Sequence, residues 1–77
     1  MPKPYTFREL IRALRRFDSR FEVYKRRGKG SHRMIYHPDV GGAPASFPVK
    51  YHGASTELRK GVISAIVRRF QLPKGVL

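Results

Sequence analysis

Apolar positions in this chain change period twice. From Thr6 to Phe17, the residues Phe7, Leu10, Ile11 and Leu14 recur at the three- and four-residue spacing of one helical stripe. Arg8, Arg12, Arg15 and Arg16 fall mostly off that stripe and can stay in water. Thr6 followed by Glu9 fits a capping box, and Tyr5 with Leu10 fits the hydrophobic staple around it. Asp18-Ser19 should end the helix. "RFEVYKR", Arg20 to Arg26, then alternates in character and is rich in aromatic and β-branched residues, which predicts a strand. "SHRMIYH", Ser31 to His37, predicts a second. The intervening "RGKG", Arg27 to Gly30, offers glycines for positive φ, so the two strands should form an antiparallel hairpin. "HPDVGGAPAS" is expected to be a turn-rich loop. "FPVKYH", Phe47 to His52, predicts a third strand, with Pro48 favouring a sheet edge or a site that needs no ladder bond. After a connection through "GASTELRKG", Val62, Ile63, Ile66, Val67 and Phe70 restore the helical period between Gly61 and Phe70. Arg68 and Arg69 suit the last turn of that helix, and Pro73 marks its stop.

The predicted order is helix, strand, strand, strand, helix. Both apolar stripes are buried if the two helices pack on one face of a three-stranded antiparallel sheet. This is an α+β arrangement, the layout of the double-stranded-RNA-binding-domain-like fold, and it leaves the other sheet face open. The 77 residues make one domain with a thin core, residues 5–72 carrying most of the pattern. Alternation alone does not decide which sheet face is buried. Met34 and Tyr36 share the side of His32, and Ile35 lies opposite.

Charge changes the picture most. Seventeen Lys and Arg against five acids give a net +12, which calls for a polyanionic partner. Nucleic acid is the first candidate; an anionic membrane and an acidic protein are the others. The chain has no cysteine, so neither a disulfide nor a thiolate metal site is available. Five scattered acids and three histidines make a dedicated metal site an unpromising reading, and no cofactor is expected. No apolar run approaches the ~20 residues that span a bilayer. The first ten residues lack the apolar core of a signal peptide, so a cytoplasmic location is expected.

Several segments together resemble the HicA family. A first helix opens with an aromatic residue and Glu-Leu-Ile; a hairpin carries "KGSHRMIYH"; a strand ends in "FPVKYHG"; and "ELRKGVISAIVRRFQL" follows. The resemblance runs over about Tyr5 to Leu72, and Gly30-Ser31-His32 is its most telling piece. HicA proteins are mRNA-interferase toxins of toxin–antitoxin pairs. The resemblance implies a metal-independent endoribonuclease acting on mRNA, with His32 catalytic and a HicB-type antitoxin covering the site. The chain departs from the family pattern at the third strand, where three residues rather than one separate Pro48 from His52.

The chemistry can also be weighed without the family. RNA brings its own nucleophile, the 2′-hydroxyl, so cleavage needs proton transfer and stabilisation of phosphorane charge. One imidazole can supply proton transfer worth roughly 10²–10⁴ in rate, and cations can hold the phosphate. His32 with Arg26, Arg27, Lys29 and Arg33 around it in sequence would suffice. On spacing alone His32 can equally be a polar residue at the hairpin, or a surface histidine that binds phosphate without catalysis. Gly28, Gly30 and Ser31 can cradle a phosphate or simply make the turn. His52, at the end of the third strand, is read as positioning substrate or structure. His37, an odd number of residues from His32, belongs on the opposite sheet face and is expected to help a turn. The arginines of the first helix can track a phosphate backbone or solvate its surface. Tyr24 and Tyr36 can stack on unpaired bases or pack in the core. Beside the ribonuclease reading stand a non-catalytic RNA-binding module and a basic protein built for an acidic partner.

Overall fold

The computed structural model describes residues 5–25, 32–53 and 55–77. The elements run β1 (Tyr5–Thr6), α1 (Phe7–Phe17), β2 (Glu22–Lys25), β3 (His32–Val40), β4 (Ala43–Lys50), β5 (Glu57–Leu58) and α2 (Lys60–Arg69). β2, β3 and β4 form an antiparallel sheet with β3 in the centre. Both helices cover one of its faces, so the α+β arrangement expected from the two periodicities is the observed one.

α1 starts where its capping box stands. The Glu9 amide donates to Thr6 Oγ1 at 3.2 Å, and the Thr6 amide donates to Glu9 Oε1 at 3.0 Å. Two backbone donors that the helix cannot satisfy internally are thereby paired. Phe7, Leu10 and Leu14 are buried, and Ile11 packs beside them. Asp18, in extended conformation, ends the helix, and its amide still donates to the Leu14 carbonyl.

α2 contributes Ile63, Ile66 and Phe70 to the same core, with Val62 and Val67 against it. It stops in a Schellman arrangement. The Leu72 amide reaches the Val67 carbonyl at 2.9 Å, and the Gln71 amide reaches the Arg68 carbonyl at 3.3 Å. This geometry places Gln71 at φ 52°, a left-handed position usually held by glycine. Leu72 is buried beyond it.

Ile35, fully buried, settles which sheet face is inside. Ala45 and Val49 on β4 and Val23 on β2 join it, and Phe21 fills the space below α1. His32, Met34 and Tyr36 therefore point to the open face.

Two expectations are corrected. Most of the loop expected over His37 to Ser46 is strand. β3 continues to Val40 and β4 begins at Ala43, joined by Gly41-Gly42 with φ of 63° and 93°. Two successive positive φ angles make the tight turn that matches strand twist. Pro38 survives because the register shifts between His37 and Val40, so no ladder bond is lost there. Pro44 and Pro48 survive because β4 is an edge strand, as Pro48 had indicated. The third strand also ends at Lys50 rather than at His52. A second ladder was not expected at all. β1 pairs antiparallel with β5, and the Phe7 amide donates to the Thr56 carbonyl at 2.8 Å. This ladder ties the start of α1 to the segment that leads into α2.

Candidate functional site

β3 carries two histidines at different heights and on different faces, and they meet unlike surroundings. His32 opens the strand on the open face, half-buried, and its register partner is Lys50 on β4. Paired residues on one face stand about 5 Å apart at Cβ, so the imidazole and the ammonium share one end of the sheet. Lys25 and Arg33, also register partners, flank this end on the helix side. Lys25 and Lys50 are exposed and make no ion pair among the described residues.

Arg33 does not share the face of His32. Its guanidinium lies 4.0 Å from the centroid of the Tyr51 ring, a cation–π contact, and its Nη1 donates weakly to the His32 carbonyl at 3.5 Å. Tyr51 in turn meets Phe7 edge-on, with centroids 4.8 Å apart. Arg33 is thus packed as well as charged. His52 is exposed, two residues beyond Lys50, on a bend held by Thr56. The Thr56 hydroxyl accepts from the His52 amide at 2.7 Å and donates to the Gly53 carbonyl at 2.7 Å. The residue opposite His32 on β4 is Lys50, and His52 lies two residues beyond it. Arg26, Arg27, Gly28, Lys29, Gly30 and Ser31, the other residues expected at the site, lie outside the described residues.

His37 sits five residues on, turned inward and only 4% exposed. Its Nε2 is 2.7 Å from Asp18 Oδ2, and its Nδ1 accepts the Asp39 amide at 3.0 Å. Because Nδ1 is an acceptor here, the ring proton belongs on Nε2 and is donated to Asp18. Phe21 packs edge-on against the ring at 4.6 Å. Asp18 also receives the Arg20 amide and guanidinium at 3.0–3.2 Å. These bonds from Arg20, and then the one from His37, hold the Asp18 carboxyl far below the usual carboxylate range. A small cavity of about 240 Å³ adjoins this network and includes Gly41 and Gln71 in its wall. Both ring nitrogens of His37 are occupied by the protein itself. The arrangement pins β3 to the end of α1; His37 stands within the strand, paired with Ala45, rather than at the turn expected beside Pro38, and its burial and its Asp18 partner were not foreseen.

Acids and bases are unevenly distributed as a result. Asp18, Glu22 and Asp39, three of the five acids, gather at the end of the sheet near His37. The opposite end, near His32, is cationic. On the helix side, Arg8, Arg12 and Arg15 rim a groove of about 510 Å³ whose floor is Phe7, Ile11, Val23 and Tyr51. Among the described residues no three His, Cys, Asp or Glu side chains group to hold a metal ion. No helix of the described chain is long and apolar enough to cross a membrane.

Lys50, opposite the candidate His32, is the neighbour that sequence reasoning did not name. Its position opposite His32 depends on strand register, and register follows from where both strands begin and how they turn. Comparison with protein-family models, with curated proteins and with solved structures yields no significant match to this chain.

Proposed function

We propose that this protein is an endoribonuclease of the HicA toxin type, cleaving mRNA without a metal and using His32 for proton transfer. The observation that supports this most is His32 itself, on the open sheet face across from Lys50 and at the cationic end of an otherwise zoned surface. The 2′-hydroxyl of the substrate attacks the adjacent phosphate. His32 moves a proton to or from the reacting oxygens. Lys50, on the same face as His32, holds the phosphate and offsets the charge that develops on it. The resemblance to HicA proteins supplies the rest of the reading: a cytoplasmic toxin, and a HicB-type antitoxin that silences it by covering His32.

The test is cleavage of a labelled mRNA in excess EDTA by wild type and by His32→Ala. Circular dichroism and RNA binding are measured on both. The expected result is a folded, RNA-binding variant whose cleavage is lower by roughly 10²–10⁴. Wild type that binds RNA and never cleaves it would replace the nuclease by a non-catalytic RNA-binding module. Equal cleavage by both proteins would remove His32 from the mechanism and turn attention to His52.

A further inference from the structure

The open face of the sheet carries more than His32. Tyr24, Met34, Tyr36 and Pro48 lie on it in adjacent register positions, Tyr24 opposite Met34 and Met34 opposite Pro48. No element of the described chain covers them. Tyr24 is 48% exposed, one of two large apolar side chains so exposed among the described residues. Its ring meets Tyr36 edge-on with centroids 6.1 Å apart, which leaves the pair ordered yet accessible. Glu22, two residues away on the same face, interacts with the Tyr24 hydroxyl and raises its pKa, so the ring stays an uncharged phenol.

We infer that this face is a stacking platform for unpaired bases of single-stranded RNA, with the two tyrosines receiving bases beside the phosphate held at His32 and Lys50. The inference rests on RNA being the ligand of the proposed ribonuclease. A single strand presents two kinds of surface, uncharged π faces and phosphates. The sheet offers the matching pair in the same order, rings and thioether along its middle and cations at its end. Successive same-face positions on β3 are about 6.6 Å apart, so His32, Met34 and Tyr36 make one continuous track. A duplex would not fit this chemistry, because its base faces are already stacked inside. An acidic protein would be drawn to the cations but has no need of the ring pair, whose far end carries Glu22.

The experiment measures binding by fluorescence anisotropy with a short labelled 2′-O-methyl oligoribonucleotide, which cannot be cleaved. A strand of the same length lacking bases and a duplex of the same sequence serve as comparisons. Tyr24 is on the edge strand and half in water, so Tyr24→Ala is expected to fold; Tyr24→Leu keeps the apolar bulk without the π face. Both should weaken single-strand binding by about 5- to 150-fold, while Tyr24→Phe stays near wild type. Neither should alter binding of the base-free strand or the duplex. Unchanged single-strand affinity in Tyr24→Ala and Tyr24→Leu would overturn the platform and leave the face to a protein partner, whatever His32 does. Equal losses on the base-free strand would overturn it too, since the ring would then serve the fold. The nuclease reading is judged separately, by cleavage in His32→Ala, so either can fail alone. A wild type with no RNA affinity would sink both.

Discussion

The two ends of β3 use the same side chain in opposite ways. At one end His37 is enclosed by Phe21, Asp18 and the Asp39 amide, with both ring nitrogens bonded inside the protein. At the other end His32 stands on the open face across from Lys50, among cations that have no acidic partner in the described chain. The difference is one of strand parity and charge placement. An odd step along a regular strand turns a side chain from one face to the other. Asp18, Glu22 and Asp39 sit at the end fastened through His37, and the described cations Lys25, Arg33 and Lys50 stand at the other. His37 is enclosed and bonded on both ring nitrogens, which contributes to stability, whereas His32 is half-buried on the open face beside Lys50, where the proposed chemistry would take place.

The sharpest way to break this contrast is to remove each histidine in turn. His32→Ala should lose catalysis by orders of magnitude and change unfolding free energy by less than about 1 kcal/mol. His37→Ala should do the reverse. It deletes a buried ring, removes one of the hydrogen bonds to Asp18, which keeps Arg20, and leaves the Asp39 amide without its partner, a loss of about 2–4 kcal/mol. Urea denaturation with cleavage per folded molecule separates the two. If His37→Ala destroyed cleavage at full stability, the division of labour would be wrong.

Acid titration sharpens the fastened end. The Asp18 carboxyl is depressed in the folded state, so its contribution is complete above the unfolded value near 4. That contribution drains away as pH falls through the lower folded value. Asp18→Asn should therefore be less stable than wild type at pH 7, and the gap should begin to narrow as pH falls below about 4 and go on narrowing towards the depressed folded value. A gap independent of pH would mean that geometry rather than charge holds Asp18 to Arg20 and His37.

Smaller effects probe the cationic end. Lys50→Ala should weaken RNA binding severalfold and reduce the slope of log affinity against log salt by about 0.7, one phosphate contact on a single strand. An unchanged slope would place the phosphate elsewhere. The smallest effect belongs to Gln71, whose left-handed backbone strains any side chain and whose amide rests near Gly41. Gln71→Gly should raise stability by about 0.5 kcal/mol, seen as a small rise in Tm, with cleavage unaffected.

Legibility in the sequence followed the range of the interaction. The capping box at Thr6 and Glu9 needs only three residues to be recognised, and it stands as expected. The helical stripes of α1 and α2 and the edge preference of Pro48 are similarly local. The region around Gly41-Gly42 misled because prolines and glycines usually punctuate loops. Here they occupy a bulge, an edge strand and a two-residue turn, and each place is acceptable only once the neighbours are known. The β1–β5 ladder had no signal, because two residues are too few to show a period.

The candidate site divides in the same manner. His32 was singled out as the candidate from the chain alone, and its separation in parity from His37 was legible there too. The sequence by itself determined the helix stripes, the α+β order and the excess of positive charge, since these depend on periodicity and composition. Tertiary structure decided that Ile35 faces inward, that Lys50 stands opposite His32, and that Asp18 reaches His37 from nineteen residues away. Those outcomes follow from register and packing, which compare whole faces of the molecule at once, and no short window of residues contains that comparison.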